Sequence, residues 1–215
     1  MAASPRIAVV DYGAGNLRSV VKALARSGFD PVVTGEPEAV RGADAVVLPG
    51  VGAFADAIGA LRARGLDAAV LESIRAGRPY LGLCLGLQVL YEESDEHGVN
   101  RGLGLLEGRV ERFPACAGDG SRLLVPHIGW NEVRFEGDHP LQEALPERDF
   151  FYFVHSYRAV PAESKQVAGV AEYGAPFAAA VARDNVFAVQ FHPEKSQSAG
   201  KRLLDAFAGW VASCP

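Results

Sequence analysis

The sequence predicts an α/β fold in three layers: a mostly parallel sheet with helices on both faces and an antiparallel extension in the C-terminal half. In the first half, short and continuously apolar runs alternate with segments whose apolar residues recur at helical spacing. Strands of that kind are typical of a parallel sheet that is buried on both faces. In the second half, strand-like segments follow one another across short turns, a pattern typical of antiparallel hairpins.

The elements of the N-terminal half follow from the apolar runs and their boundaries. Residues 7–10 form a first apolar run, and Asn16 precedes apolar residues at helical spacing that end near Gly28. Further strands are predicted at 31–34, 44–48 and 79–84, and further helices at 54–64, 66–76 and 85–91. We therefore expect strand and helix to alternate up to residue 91.

The C-terminal half is expected to consist mainly of strands. They are predicted at 105–113, 128–135, 150–157, 166–173, 177–183 and 186–191. A closing helix is predicted at 198–213, because Leu203, Phe207 and Trp210 share one helical face. The 215 residues contain no internal repeat and no low-complexity linker, so we expect one domain that spans residues 1–215.

The composition argues against several kinds of partner and site. Lys plus Arg total 21 and Asp plus Glu total 26, with no basic block, so binding to nucleic acid is not expected. No apolar run approaches the roughly 18 residues of a membrane span, and the N-terminal MAASPR followed by IAVV has too short an apolar stretch for a signal peptide. Three cysteines without a C-x-x-C pair argue against a disulfide scaffold or a zinc site, so we expect a cytoplasmic location.

A cysteine flanked by two glycines lies where a predicted strand turns directly into a helix. In Gly82-Leu83-Cys84-Leu85-Gly86, the tight turn forces the central residue into a strained backbone conformation and needs small neighbours. The N-terminus of the following helix favours a thiolate. A buried structural cysteine remains an equal alternative on this motif alone. Cys116, in a loop, and Cys214, next to the last residue, lack such a setting.

A histidine and a glutamate follow the last predicted strand. His192 has a side chain that can take a proton from a thiol and return it near neutral pH. Glu194 would then hold the imidazole in one tautomer and stabilise its charged form. Taken alone, a histidine two residues from a glutamate is more often a solvated loop pair than a catalytic one. His97 and His139 compete poorly for the role, since they lie in polar turns.

A glycine-rich loop, Leu-Pro-Gly-Val-Gly-Ala-Phe at 48–54, follows the third predicted strand. Its two glycines would allow a peptide N–H near Val51 and Gly52 to turn toward a reacting carbonyl, as an oxyanion hole requires. An ordinary turn between strand and helix is the alternative, because such turns also favour glycine and proline.

Six motifs together resemble those of a known family. The segments PGVGAF at 49–54, GLCLGLQ at 82–88 and HPEKS at 192–196 resemble the class I glutamine amidotransferases. Three more segments, DYGAGNL at 11–17, PHIGWN at 126–131 and YFVHSY at 152–157, are similar to one branch of that family, the glutaminase subunits of histidine biosynthesis. The resemblance spans nearly the whole chain.

The resemblance implies a role for each matching residue. Cys84, His192 and Glu194 would form the catalytic triad. The N–H of Leu85, with one from the segment of Val51 and Gly52, would form the oxyanion hole. The substrate glutamine would be bound by Gln88, Ser156 and Tyr157. The candidates for a partner interface are Asn16, Trp130, Tyr152 and Lys195, of which the last three are equally compatible with ordinary packing or a solvated charge.

The implied reaction is glutamine hydrolysis, with ammonia passed to a separate cyclase subunit that has a (β/α)₈ barrel. Neither a metal nor a cofactor is implied. Gly13-Ala14-Gly15 is not a dinucleotide-binding motif, because Arg18 stands where the third glycine is needed. The alternatives are a glutaminase subunit for anthranilate, aminodeoxychorismate or pyridoxal phosphate synthesis, a cysteine peptidase or esterase, and a binding module without catalysis.

Overall fold

The computed structural model describes residues 5–214. Residues 1–4, which begin the stretch considered above as a signal peptide, and residue 215 lie outside this range. Between residues 5 and 214, every helix is too short or too polar to cross a bilayer.

The described residues form thirteen strands in two sheets and seven α-helices. The strands are β1 (Arg6–Val10), β2 (Asp30–Thr34), β3 (Ala45–Gly50), β4 (Tyr80–Cys84), β5 (Tyr91–Ser94), β6 (Asn100–Arg101), β7 (Leu106–Arg112), β8 (His127–Phe135), β9 (Arg148–His155), β10 (Tyr157–Pro161), β11 (Val167–Glu172), β12 (Pro176–Arg183) and β13 (Val186–Val189). The helices are α1 (Leu17–Arg26), α2 (Pro37–Arg41), α3 (Phe54–Ala63), α4 (Leu66–Arg75), α5 (Leu85–Gln88), α6 (Pro140–Glu143) and α7 (Gln197–Ser213).

The large sheet has nine strands in the order β2-β1-β3-β4-β13-β12-β11-β8-β9. The first five pair in parallel, and the pairs from β13 to β9 are antiparallel. The predicted α/β fold class, with a parallel sheet and an antiparallel extension, is confirmed. Because the carboxyl ends of the parallel strands meet at one edge, the loops after β1, β3, β4 and β13 lie side by side there.

Two apolar cores lie on opposite faces of the large sheet. Alternate residues of one strand enter different cores, so that Ile7 and Val9 pack on one face and Val10 packs on the other. The apolar sides of α1 and α7 cover the first face. The second face is covered by α2, α3 and α4 together with the small sheet. Helices on both faces give the three predicted layers.

The small sheet, of order β10-β7-β5-β6, is not among the predicted features. The helix predicted at 85–91 is wrong in its second half, because α5 ends at Gln88 and Tyr91 begins β5. Val89, Leu90 and Tyr91 are all buried, so the apolar run is equally compatible with helix and strand. Pairing of β5 with β7 across the chain decides between them.

The predicted strand at 150–157 is two strands in different sheets. It breaks at Ser156, where β9 of the large sheet ends and β10 of the small sheet begins. The break arises from tertiary contacts, since His155 lies opposite His127 of β8 and Tyr157 lies opposite Arg112 of β7. This crossing between sheets brings Ser156 and Tyr157 to the edge where the parallel strands end.

Candidate active site

Cys84 lies at the point where β4 ends and α5 begins. Its backbone has φ 53° and ψ −101°, a conformation that residues other than glycine rarely adopt. Strain of this kind is typical of a nucleophile elbow, where it presents the side chain at the end of the strand. Only 7% of Cys84 is exposed. The glycine-flanked turn predicted from the sequence is therefore present.

The two glycines of the elbow are needed because other groups approach them closely. A Cβ added to Gly82 would lie 2.5 Å from the carbonyl oxygen of Gly86, and one added to Gly86 would overlap the carbonyl oxygen of Leu48 on β3. The buried hydroxyl of Tyr80 donates a hydrogen bond of 2.7 Å to the Gly86 carbonyl. These contacts hold the start of α5 against both strands.

His192 reaches Cys84 because β13 runs parallel to β4, with Val189 opposite Leu83. The loop after β13 therefore lies beside the elbow. The ring Nδ1 of His192 is 2.8 Å from Oε1 of Glu194, and both side chains are almost wholly buried. Since a carboxylate only accepts, Nδ1 carries the proton of this bond.

The environment of His192 favours its charged form. Burial lowers the pKa of the ring, but the neighbouring Cys84 and the hydrogen-bonded carboxylate of Glu194 outweigh burial and raise the pKa to about 9. Among the described residues, no group forms a hydrogen bond of good geometry to Nε2 in this resting arrangement. That nitrogen is therefore free to exchange a proton with the thiol or a substrate.

Three hydrogen bonds, each with a backbone group as one partner, fix the loop that carries His192. Its N–H donates to the Tyr152 carbonyl at 2.9 Å. The hydroxyl of Ser196 donates to the His192 carbonyl at 2.7 Å and accepts from the N–H of Tyr152 at 2.9 Å. Ser196 is fully buried, so it joins this loop rigidly to β9.

The predicted oxyanion loop lies next to the elbow. Gly50, at the end of β3, is opposite Cys84 in the sheet, and Val51 and Gly52 follow it into the site. Gly52 has φ 101° with open space around the position of a Cβ, so its backbone conformation rather than crowding favours glycine. Leu85 is the first residue of α5, where N–H groups lack a partner within the helix.

A cavity of about 440 Å³ opens in front of Cys84. It is lined by Val51, Gly52, Cys84, Leu85, Gln88, Glu96, Pro126, Val154, His155, Ser156, Tyr157 and His192. The structure thus brings together the residues that were expected to bind substrate and to form the oxyanion hole. Glu194 lies behind His192 and does not line the cavity.

Sequence analysis missed Glu96, the one carboxylate among the described residues that line the cavity. Its Oε2 accepts a hydrogen bond of 2.7 Å from the N–H of Phe54, the first residue of α3. This contact joins the start of α3 to a turn 42 residues further along the chain. No local pattern marks Glu96, because its neighbours form an ordinary polar turn.

Gln88 is held by its own side-chain N–H groups. Its Nε2 donates to the Tyr157 carbonyl at 3.0 Å and to Oε1 of Gln190 at 3.1 Å. Gln190 is fully buried and was not identified from the sequence. Its position two residues before His192 was the only available signal.

A second buried chain of hydrogen bonds ends on the same carbonyl. Nδ2 of Asn131 lies 3.3 Å from Nε2 of His127. Nδ1 of His127 lies 2.9 Å from Nε2 of His155. Nδ1 of His155 lies 2.9 Å from the carbonyl oxygen of Tyr157. An amide nitrogen only donates and a carbonyl only accepts, so both rings are neutral with the proton on Nδ1. This series of hydrogen bonds fixes the wall of the cavity at Tyr157.

This histidine pair predicts a loss of stability in mild acid. Burial is the main cause that lowers the pKa of His127 to about 4 and of His155 to about 3, below the ordinary value of about 6.5. Between the ordinary pKa of about 6.5 and these lowered values, the unfolded chain binds more protons than the folded protein. The free energy of unfolding therefore falls as the pH falls through this range. We expect each ring to reduce the free energy of unfolding by about 2 kcal/mol between pH 7 and about pH 5.

Urea unfolding of wild type and His127→Gln at several pH values would measure this effect. The variant should be less stable at pH 7 but should lose less stability on acidification. Equal slopes in the two proteins would contradict the assignment. His192 acts in the opposite sense, since its raised pKa of about 9 adds stability below pH 6.5 that is lost as pH rises through 9.

Three of the four interface candidates form one group. Trp130 on β8 lies opposite Tyr152 on β9, with ring centroids 6.2 Å apart. The ammonium of Lys195 lies 5.8 Å from the centre of the Tyr152 ring. Asn16 caps α1 through a 3.4 Å hydrogen bond from the N–H of Ser19, after the loop that follows β1.

The remaining cysteines are not part of this site. Cys116 is exposed and Cys214 partly buried, and neither lines the cavity. Within residues 5–214, no group of three or more His, Cys, Asp or Glu side chains is arranged to hold a metal ion.

Comparison with known sequences shows similarity over almost the entire chain. The sequence model described as "Glutamine amidotransferase class-I" matches residues 8–208. A protein of Methylococcus capsulatus named "Imidazole glycerol phosphate synthase subunit HisH" is 50% identical over 209 residues, which cover 95% of this chain and 96% of that relative. The subunit of the same name from Desulfitobacterium hafniense is 48% identical over 205 residues, covering 95% and 94%.

Solved structures are similar in fold at lower identity. The structure titled "Structure of PurLQS from Thermotoga maritima" has a TM-score of 0.76 at 22% identity and covers 97% of this chain and 100% of that one. The glutaminase domain of Trypanosoma brucei CTPS, solved with bound acivicin, has a TM-score of 0.70 at 17% identity, with coverage of 98% and 95%. At these identities the likeness concerns the fold alone.

Proposed function

The chain belongs to the class I glutamine amidotransferase family, and from this premise we propose that it is the glutaminase subunit of an imidazole glycerol phosphate synthase. It hydrolyses glutamine to glutamate and ammonia. The ammonia passes to a separate cyclase subunit, which makes imidazole glycerol phosphate and an aminoimidazole carboxamide ribonucleotide in histidine biosynthesis. Full-length identity of 48–50% to subunits of that name carries the proposal.

The first half of the proposed reaction forms a thioester. The proton of the Cys84 thiol moves to Nε2 of His192, and the thiolate attacks the carboxamide carbon of glutamine. N–H groups of Leu85 and of the segment at Val51 would stabilise the oxyanion of the tetrahedral intermediate. His192 then gives its proton to the leaving nitrogen, and ammonia departs.

The second half frees glutamate. His192 takes a proton from water, the resulting hydroxide attacks the thioester, and the Cys84 thiolate leaves. The 2.8 Å bond to Glu194 supports both halves, because a charged carboxylate stabilises the imidazolium each time it forms. The pKa of about 9 for His192 supports the first proton transfer, because it favours the imidazolium that this step forms.

Charges at the cavity suit the amino-acid end of glutamine. We assign Glu96 to the α-ammonium group, because it supplies the negative charge in the cavity lining. Ser156 and Tyr157 remain the candidates for the α-carboxylate. Burial and the charge of Glu96 raise the pKa of the Tyr157 phenol, which therefore keeps the proton that it would donate. Gln88 would contact the carboxamide from the helix after Cys84.

An exposed apolar strip beside the cavity supports the proposed docking of the cyclase barrel. Ile128, Trp130 and Phe150 are 58%, 48% and 55% exposed, although they are large apolar side chains. On β9, Phe150 alternates with buried residues and so shares one face with Tyr152 and Val154. Ile128 and Trp130 lie opposite Val154 and Tyr152 in the sheet, and therefore on the same face. Val154 also lines the cavity, so a partner on this strip would cover a surface continuous with the site where ammonia forms.

Measuring glutamine hydrolysis with and without the cyclase and its phosphoribulosyl-formimino substrate tests the proposal. We expect weak glutamate release by the isolated chain and a rise of at least about 100-fold in the complex, on the scale of a coupling of about 3 kcal/mol between sites. Full activity of the isolated chain, or no response to the partner, would contradict the assignment.

A substitution on the apolar strip supplies the matched control. Trp130→Glu should weaken binding of the cyclase and reduce the activation at limiting partner concentration. Val32→Glu, at a similarly exposed apolar residue on the opposite edge strand β2, should leave both unchanged. Equal effects of the two variants would remove the strip from the interface.

The alternatives differ in the partner or the chemistry. A glutaminase subunit for anthranilate, aminodeoxychorismate or pyridoxal phosphate synthesis would respond to the corresponding synthase and not to the cyclase. Membership of the amidotransferase family leaves the peptidase or esterase and the binding module without support.

A further inference from the structure

We infer that Gln190 is a further catalytic residue, whose side-chain N–H₂ group stabilises the thiolate of Cys84. This inference rests on the proposed function, since it concerns the same nucleophile. The position of Gln190 two residues before His192 does not reveal this contact, because nothing in the local pattern shows that its side chain reaches the sulfur of residue 84.

The geometry places an amide donor on the reacting sulfur. Gln190 follows β13 directly, and its N–H donates to the Ala179 carbonyl at 2.8 Å. Its side chain is fully buried, and its Nε2 donates to Sγ of Cys84 at 3.5 Å. That distance is suitable for a hydrogen bond to sulfur, which is larger than oxygen.

The direction of the hydrogen bonds shows that Gln190 presents its nitrogen, and not its oxygen, to Cys84. The series of bonds begins at the Tyr157 carbonyl, which can only accept, so Gln88 must turn its N–H₂ group toward it. The same N–H₂ group donates to Oε1 of Gln190. With its oxygen occupied by Gln88, Gln190 has only its N–H₂ group left for the sulfur.

This donor favours one protonation state of the nucleophile. A thiol sulfur is a weak acceptor, whereas a thiolate is a charged one, and hydrogen bonds to charged groups are about twice as strong as neutral ones. The bond from Gln190 is therefore stronger after the proton has moved from Sγ of Cys84 to Nε2 of His192. Gln190 itself exchanges no proton. It acts again when hydroxide attacks the thioester and the sulfur departs as thiolate.

The packing around Gln190 also favours this interpretation. A fully buried amide is costly unless its polar atoms are paired. Both polar atoms of Gln190 are paired, one with Gln88 and one with Cys84. An apolar side chain of similar length would fill the same space without this requirement. What it would lack is the donor at the sulfur.

The test is the pH dependence of Cys84 alkylation by iodoacetamide, measured with Cys116 and Cys214 replaced by serine. Only the thiolate reacts, so the midpoint of the rate profile reports its formation without glutamine. For Gln190→Met we expect the midpoint to rise by about one pH unit, because one hydrogen bond to a charged group is lost. At pH values below the midpoint, the alkylation rate should then fall about tenfold. Gln190→Glu keeps the volume and can accept from Gln88, but opposes the thiolate with a carboxylate, and should shift the midpoint further upward.

Gln166→Met is the matched control, because Gln166 is a similarly buried glutamine that does not line the cavity at Cys84. It should leave the profile unchanged. If Gln190→Met does not fold, the alkylation profile of Gln190→Glu tests the inference instead. A wild-type profile in a folded Gln190 variant would overturn the inference, as would an equal shift in Gln166→Met. Absence of glutamine hydrolysis by wild type with the cyclase, together with the expected alkylation shifts, would overturn the proposed function and leave the role of Gln190 intact.

Discussion

Replacing Cys84 by alanine should reduce glutamine hydrolysis by at least about 10⁴-fold, because no other group at the site can form the acyl intermediate. The complex with the cyclase should still make its products when ammonia is supplied directly, since the alanine removes one sulfur atom and leaves the fold in place. Glutamate release and ammonia-dependent product formation, measured on the same complex, separate these two outcomes.

Cys116→Ala is the control for this experiment. Cys116 is exposed and does not line the cavity, so its loss should change neither reaction. Substantial glutamine hydrolysis by Cys84→Ala would show that Cys84 is not the nucleophile. Loss of the ammonia-dependent reaction as well would show that the substitution disturbs the complex rather than the chemistry.

Replacing Gly86 by alanine should destabilise the protein by about 3 kcal/mol or more, a large effect for a single methyl group. The added Cβ would overlap the carbonyl oxygen of Leu48, a backbone atom of the central strand β3 that cannot rotate away. The start of α5 would have to move, and Cys84 with it. Urea unfolding at equilibrium and glutamine hydrolysis should therefore fall together.

Gly59→Ala is the comparison for this substitution. Gly59 lies in the interior of α3, is exposed and has open space around the position of a Cβ. Alanine there should raise stability by about 0.5–1 kcal/mol, because it favours helix and restricts the unfolded chain. If both variants proved equally stable, the contact at Leu48 would not be what requires glycine at the elbow.

Local pattern predicted most elements of the fold. The strands β1 to β4 and the helices α1, α3, α4 and α7 lie within a few residues of their predicted positions. The errors at residues 89–91 and at Ser156 have one physical cause. The conformation of residues 89–91 and the break at Ser156 depend on pairing with strands that are distant in the chain. A short apolar run does not indicate which strand it will pair with.

The candidate site divides in a similar way. Cys84, His192 and Glu194 were identified as candidates because their chemistry and flanking glycines or proline form contiguous motifs. Glu96 and His155 were not, although they line the same cavity. Their roles come from hydrogen bonds to residues that are distant in the chain or in another sheet.

The sequence by itself determined the glycine-flanked turn at Cys84, the candidates for base and acid, and the alternation of strand and helix that sets the layers. Those features are local, since they depend on backbone conformation, side-chain chemistry and apolar periodicity within a few residues. Only the tertiary structure decided which buried polar groups face the sulfur. The order of strands sets β13 beside β4, and the amide of Gln190 meets Cys84 across 106 residues of chain. Strand order is a property of the whole sheet, which no local pattern contains.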